Sequence, residues 1–136
     1  MLGIYCAKQF LAEVLLTDAD EQVFPYAKTH PRLNGVPVRT EQVRFEGITD
    51  RCLREQDILL GADVCFWPEL GTHLRRLIER ALSSGVKKII LADPGQLIFM
   101  RLATYCQSHL AATVTPWQAA TKTKSSGYLL VVENLL

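Results

Sequence analysis

The chain has 136 residues, of which 49% are hydrophobic and 21% are charged, so it is large enough for one domain with a real core. Its 15 basic and 14 acidic side chains leave a net charge of +1, which argues against nucleic acid or an anionic membrane as the partner. No segment reaches the roughly 18 consecutive apolar residues of a membrane span, and the first residues do not have the pattern of a signal peptide. We therefore expect a single cytoplasmic domain over residues 1–136.

Segments with helical and strand-like patterns alternate along the chain, which is typical of an α/β protein with a parallel sheet. The predicted helices cover 2–10, 20–32, 69–82 and 96–108. The predicted strands cover 13–17, 36–43, 57–62 and 86–92. Two further strand-like runs, 110–117 and 128–133, are joined only by the polar segment TKTKSSG, which predicts a C-terminal antiparallel hairpin. The interval 44–55 gives no clear prediction.

Three acidic residues, Asp18, Asp63 and Asp93, stand at the ends of predicted strands. In doubly wound sheets, ligands bind at the carboxyl ends of the strands, so these residues are candidates for a binding site. Asp18 could accept hydrogen bonds from both hydroxyls of a ribose, or it could cap the helix that follows; the sequence leaves both interpretations open. Asp93 belongs to an Asp-Pro-Gly segment that turn formation alone explains.

Two large aromatic residues follow Asp63 in the segment DVCFWP. Phe66 and Trp67 would be costly to expose in a loop unless they line a pocket, and the alternative is that they pack beneath the loop. The four cysteines are too far apart to form a zinc pair or a redox motif, and we expect them to be reduced and mostly buried. No histidine has the spacing of a metal ligand, so no metal site is predicted.

Four stretches of the chain resemble the class I S-adenosylmethionine-dependent methyltransferases. More narrowly, they resemble the branch that includes protein-lysine methyltransferases and nicotinamide-methylase-like enzymes. The stretches are LGIYCAKQF, VLLTDADEQVFPYAKTHPRLNG, DILLGADVCFWPEL and IILADPGQ. The resemblance implies a three-layer, doubly wound and mostly parallel sheet that ends in an antiparallel hairpin. It also implies S-adenosylmethionine as the cofactor and an amine of a protein or small molecule as the methyl acceptor.

The resemblance also implies a role for individual residues. Gly3 would be the last glycine of the cofactor loop, and Asp18 and Ala19 would hold the ribose and lie beside the adenosine. Arg44 and Phe45 would flank the adenine. Ala62 and Asp63 would lie near the methionine moiety and the methyl-transfer channel, and Cys65, Phe66 and Trp67 would shape the acceptor pocket. Asp63 and Trp67 are thus the residues implied to lie nearest the catalytic step.

The chain departs from the family pattern at its N-terminus. The family's first strand and its G-x-G-x-G turn would precede Leu2, so we expect an N-terminally truncated domain. The family places that strand in the centre of the sheet, and its loss would expose two sheet edges through which copies of the chain could associate. Two alternatives stay open: an inactive fragment or partner subunit of a methyltransferase, and a nicotinamide-dinucleotide-binding domain.

Overall fold

The structure is a computed structural model that describes residues 1–120, 122 and 125–135. Part of the polar segment predicted to join the last two strands lies outside these residues. The chain forms two compact units, Met1–Gly47 and Ile48–Leu136. The single domain expected from the sequence stays a prediction.

The first unit contains two helices and a two-stranded parallel sheet. Its elements are α1 (Leu2–Phe10), β1 (Leu15–Asp18), α2 (Phe24–Leu33) and β2 (Arg39–Gln42), with 3₁₀ turns at Glu21–Val23 and Phe45–Gly47. In the parallel pair, Asp18 lies opposite Gln42, so both strands end at the same edge of the sheet. Helix α2 begins later than predicted, because the 3₁₀ turn precedes it and Pro25 occupies its first turn, where a missing N–H costs least.

In the described part of the second unit, three helices accompany a four-stranded sheet. Its elements are α3 (Asp50–Arg54), β3 (Ile58–Ala62), α4 (Pro68–Ser84), β4 (Lys88–Asp93), α5 (Leu97–His109), β5 (Ala112–Gln118) and β6 (Ser126–Glu133). The strand order is β3-β4-β6-β5. Strands β3 and β4 are parallel, whereas β6 runs antiparallel to both of its neighbours. The C-terminal hairpin predicted from the sequence is therefore confirmed.

The core of the second unit lies between this sheet and helices α4 and α5. On α4, the apolar stripe predicted from the sequence buries Leu74, Leu77, Ile78 and Ala81. Opposite these residues, β4 and β6 bury alternate side chains, which is the pattern of strands covered on one face. Full burial of each large aliphatic side chain contributes about 1.5–3 kcal/mol, so this stripe fixes α4 against the sheet.

Local chemistry explains where the structure departs from the predicted boundaries. Strand β2 begins at Arg39 and not at residue 36, because Pro37 has no N–H to donate to a strand ladder. The unassigned interval contains α3, which begins where the Thr49 side chain accepts a hydrogen bond from the Cys52 N–H over 3.1 Å. The insertion of β6 between β4 and β5 was not predicted.

Strand β3 forms one edge of the four-stranded sheet. Its apolar residues Ile58 and Leu60 are 51% and 38% exposed. Association of copies through an exposed sheet edge stays a prediction. Among the described helices, none combines the length and apolar character needed to cross a membrane.

Candidate functional site

Asp18 lies at the carboxyl end of β1, where its carboxylate organises the following turn. Its Oδ1 accepts a hydrogen bond from the Asp20 N–H over 2.9 Å. The cap of the 3₁₀ turn is Asp20, whose Oδ1 accepts from the Gln22 N–H over 2.9 Å. Asp18 is thus not the helix cap, which was one of the two interpretations that the sequence left open. Its second oxygen, Oδ2, makes no hydrogen bond to any described residue.

The residues after β2 lie at the same edge of the first unit's sheet. The Val43 N–H donates to the Asp18 carbonyl over 2.9 Å, which continues the strand pairing as far as Val43, directly before Arg44. Arg44 is exposed, and the half-buried Phe45 begins the 3₁₀ turn. Gln42, which the sequence did not single out, donates from Nε2 to the Ala19 carbonyl over 3.3 Å and so holds the loop after Asp18.

Asp63 follows β3 in a backbone conformation that residues with a side chain seldom adopt. Its φ of 54° lies in the left-handed region. Two hydrogen bonds hold it there: its N–H donates to the Ala92 carbonyl over 2.9 Å, and its Oδ1 accepts from Gln96 Nε2 over 3.1 Å. Strained conformations of this kind persist where the surrounding structure fixes them, and they occur often at functional sites.

Asp93 ends the neighbouring strand β4 and is only 5% exposed. Its Oδ1 accepts hydrogen bonds from the N–H groups of Gly95 and Gln96, each over 2.8 Å, which fixes the tight turn expected from the sequence. Its Oδ2 is buried and has no hydrogen-bond partner among the described residues. Gln96 therefore contacts two strand-end carboxylates, with its backbone on Asp93 and its side chain on Asp63.

The three residues after Val64 differ sharply in exposure. Cys65 is fully buried, whereas Phe66 is 45% and Trp67 is 65% exposed. Burial, together with the nearby Asp93 charge, raises the pKa of the Cys65 thiol to about 11. Cys65 thus lies in the core beneath the loop and does not line an open pocket. The role in the acceptor pocket that the resemblance implied for Cys65 therefore needs correction. Phe66 and Trp67 present their rings to solvent at the start of α4, which excludes the alternative that they pack beneath the loop.

The remaining predicted residues are placed as follows. Gly3 lies in the first turn of α1, where an added Cβ would meet Val14 Cγ1 at 3.0 Å. Ala62 is the last residue of β3 and is exposed beside Asp63. The first unit thus brings together Asp18, Ala19, Arg44 and Phe45. In the second unit, Asp63 lies directly after Ala62 and is joined to Gln96 by a hydrogen bond, while Trp67 lies four residues further along the same loop.

Each unit, considered by itself, offers a carboxylate that suits one polar group of S-adenosylmethionine. The open Oδ2 of Asp18 is an acceptor suited to a ribose hydroxyl, because a carboxylate accepts strong hydrogen bonds from neutral donors. A carboxylate at the end of β3 suits the ammonium group of the methionine moiety. No group of three or more potential metal ligands is arranged to hold an ion among the described residues.

No protein-family model matches the sequence, and no curated protein is similar to it at a significant level. Solved structures do match. The N-terminal domain of human METTL16 in complex with S-adenosylhomocysteine has a TM-score of 0.74 and 14% identity, and the match covers 100% of this chain and 57% of that one. An rRNA methylase from Streptococcus thermophilus has a TM-score of 0.69 and 16% identity, over 100% and 84% of the two chains.

A methyltransferase from Pyrococcus furiosus has a TM-score of 0.71 and 17% identity, over 100% of this chain and 70% of that one. The chain therefore has the Rossmann-like methyltransferase fold, and the fold class expected from the sequence is confirmed. At these identities the likeness establishes the fold alone. The chain also spans little more than half of the human METTL16 domain.

The comparisons correct one expectation and leave another without support. The near-neutral charge led us to expect that nucleic acid is not the partner, and the match to an rRNA methylase contradicts that expectation. Overall net charge is a poor guide here because nucleic-acid binding depends on the charge of the contact surface and not on the total. The narrower branch of protein-lysine and nicotinamide methylases is not represented among these three structures.

Proposed function

We propose that this chain is an S-adenosylmethionine-dependent methyltransferase domain. The observation that carries the proposal is Asp18, a carboxylate at the carboxyl end of β1 with one oxygen fixed by its own turn and the other open. The fold is the same as in the human METTL16 domain bound to S-adenosylhomocysteine. The cofactor supplies an activated methyl group on a positively charged sulfur.

The residues of this chain would bind and orient the reacting groups. Asp18 accepts a ribose hydroxyl, and Arg44 and Phe45 flank the adenine ring. Asp63, fixed by Gln96 and by the Ala92 carbonyl, holds the amino end of the methionine moiety. Methyl transfer depends mainly on alignment and exclusion of water, so the site needs no dedicated acid–base pair beyond a group that accepts the released proton.

For the acceptor, we propose an amine nitrogen on a planar base, with RNA as the first substrate class to test. The exposed residues Phe66 and Trp67 follow Asp63 by three and four positions, and aromatic side chains stack on unpaired bases. The match to an rRNA methylase supports this choice. An amine of a protein or small molecule, as implied by the resemblance, is the alternative that a labelling assay with mixed acceptors would detect.

The test is a calorimetric titration of S-adenosylhomocysteine into the wild-type chain and into Asp18→Asn. Asparagine keeps an acceptor for the Asp20 N–H but removes the charge, so affinity should fall about 10- to 150-fold, which corresponds to about 1.5–3 kcal/mol. Glu13→Gln, an exposed acid on the same unit, is the matched control and should bind as the wild type does. If folded wild-type chain does not bind, the proposed function is wrong and the inactive-subunit alternative gains support.

The acceptor is identified by incubating the chain with tritiated S-adenosylmethionine and, separately, total RNA, a protein extract and a set of small amines. We expect label in RNA. Label in protein or in small amines alone would overturn the proposed acceptor but not the proposed use of the cofactor.

A further inference from the structure

A second aromatic surface lies at the open end of the C-terminal hairpin. Here Trp117, Tyr128, Pro94 and Pro116 line a cleft of about 490 Å³, with Gln118 and Ser126 as polar neighbours. We call it the hairpin cleft. Trp117 is 54% and Tyr128 is 36% exposed. The cleft is open to solvent, so it could hold a flat group against the Trp117 and Tyr128 rings without enclosing it.

The strand register places this cleft at the functional edge of the four-stranded sheet. Tyr128 lies opposite Asp93 on β4 and opposite Pro116 on β5. Because β6 is antiparallel to β4, its first residues lie beside the carboxyl end of β4. The hairpin cleft therefore opens at the end of the sheet that carries Asp63 and Asp93, where a ligand held in it could extend toward the residues proposed to transfer the methyl group.

The walls of the cleft are fixed by close backbone contacts. An added Cβ on Gly127 would lie 2.5 Å from the Asp93 carbonyl oxygen, so no larger residue fits there. An added Cβ on Gly95 would lie 2.8 Å from the Tyr128 ring, which packs against the turn after β4. The start of β6 and the Tyr128 ring are thus packed closely against the turn after β4, which reduces the conformational entropy that the Tyr128 ring loses on binding.

The charge of the hairpin favours an anionic partner. Between residues 110 and 132 the sequence contains two lysines and no acidic residue. Asp93, the acid nearest the cleft in the strand register, is buried within its own turn. Exposed aromatic rings on a hairpin that has no acidic residue to repel a phosphate backbone can bind single-stranded nucleic acid by base stacking.

We propose that the hairpin cleft binds an unpaired base of single-stranded RNA, with Trp117 as the stacking residue, and so holds the acceptor strand beside the methyl-transfer site. This inference rests on the proposed function, since it presumes that the acceptor is RNA. It adds a site on β5 and β6 that is separate in sequence from Phe66 and Trp67.

The test uses a short fluorescein-labelled oligouridylate and measures its binding by anisotropy. Trp117→Ala should weaken binding about tenfold, which is within the loss found when a stacking residue is removed. Trp117→Phe should retain most of the affinity, because a ring remains. Tyr26→Ala, which removes an exposed aromatic ring from α2, is the matched control and should have no effect.

A second readout follows the stacking directly. The chain has two tryptophans, so Trp117 is the only indole in the Trp67→Phe variant. Its fluorescence should be quenched on titration with the oligouridylate. Absence of binding by the wild type, equal affinity in Trp117→Ala, or an unquenched indole would each overturn the inference.

The two proposals fail in distinguishable ways. S-adenosylhomocysteine affinity, measured on the same Trp117 variants, should not change. Loss of RNA binding with cofactor affinity intact supports the hairpin cleft, whereas a wild type that binds RNA but not S-adenosylhomocysteine would refute the proposed function alone.

Discussion

Gln96 donates a hydrogen bond from Nε2 to Oδ1 of Asp63 over 3.1 Å and thereby joins the carboxyl ends of two parallel strands. Its backbone N–H donates to Oδ1 of Asp93 over 2.8 Å, which fixes the backbone from which the side chain extends. Asp63, for its part, is held in a left-handed conformation that would otherwise cost of order 1–3 kcal/mol. The orientation of the proposed methionine-binding carboxylate therefore depends on a residue of the next strand's turn.

Gln96→Ala removes only the side-chain bond to Asp63 and keeps the backbone bond to Asp93. We expect S-adenosylhomocysteine affinity to fall about two- to tenfold, the effect of one lost hydrogen bond, with a change in the free energy of unfolding below about 1 kcal/mol. Calorimetric titration and urea unfolding measure the two quantities. Gln107→Ala, which changes an exposed glutamine on helix α5 directly after Gln96, is the control. Equal affinities in the two variants would show that Gln96 does not position Asp63 for the cofactor.

Trp67→Ala should separate acceptor binding from folding. The Trp67 ring is 65% exposed, so its loss should change the free energy of unfolding by no more than about 0.5 kcal/mol. Cofactor affinity should remain within about twofold, whereas methyl transfer to the acceptor identified by the tritium assay should slow at least about tenfold through lost stacking. Trp67→Phe should restore most of the rate, and an unchanged rate in Trp67→Ala would exclude Trp67 from the acceptor site.

Gly127→Ala should destabilise the second unit. The added methyl group would meet the Asp93 carbonyl oxygen at 2.5 Å, and the paired backbones of β4 and β6 cannot separate without losing ladder hydrogen bonds. We expect the free energy of unfolding to fall by about 1–3 kcal/mol in urea titrations. Ser126→Ala, at the exposed neighbouring position, should lower the free energy of unfolding by less than about 0.5 kcal/mol. Similar losses in the two variants would contradict the close approach of Gly127 to the Asp93 carbonyl.

The buried thiols should be resistant to alkylation. Burial raises the pKa of both Cys65 and Cys106 to about 11 from an ordinary value near 9.0. At pH 8 only about 0.1% of such a thiol is the reactive thiolate. Iodoacetamide labelling of native protein, followed by peptide mass spectrometry, should modify the half-buried Cys6 and Cys52 first. Rapid native labelling of Cys65 would show that the loop after β3 opens.

The same pKa shifts predict a pH dependence of stability. The folded chain keeps protons on Cys65 and Cys106 that the unfolded chain releases above pH 9, so the unfolded state binds fewer protons in this range. The free energy of unfolding should therefore fall as the pH rises from about 9 to about 11, with this contribution fully present below pH 8. A Cys65→Ala, Cys106→Ala double variant should lose that part of the slope.

The sequence by itself determined the local structure and the strand-end acids. The spacing of Leu74, Leu77 and Ile78 allows one buried face on a helix of 3.6 residues per turn, and α4 buries that face. Two strand-like runs without a helix between them predict an antiparallel hairpin, and β5 and β6 form one. Asp18, Asp63 and Asp93 were recognised because each directly follows a run of apolar residues.

Only the tertiary structure decided which residues share a site. The position of β6 between β4 and β5 depends on pairing between segments far apart in the sequence, which local patterns do not specify. The contact between Gln96 and Asp63 and the position of the hairpin cleft beside β4 also depend on segments that are far apart in the sequence. Cys65 and Trp67 stand two positions apart in one apolar segment, yet the first is buried and the second exposed, because the loop turns at Asp63 before α4 packs on the sheet.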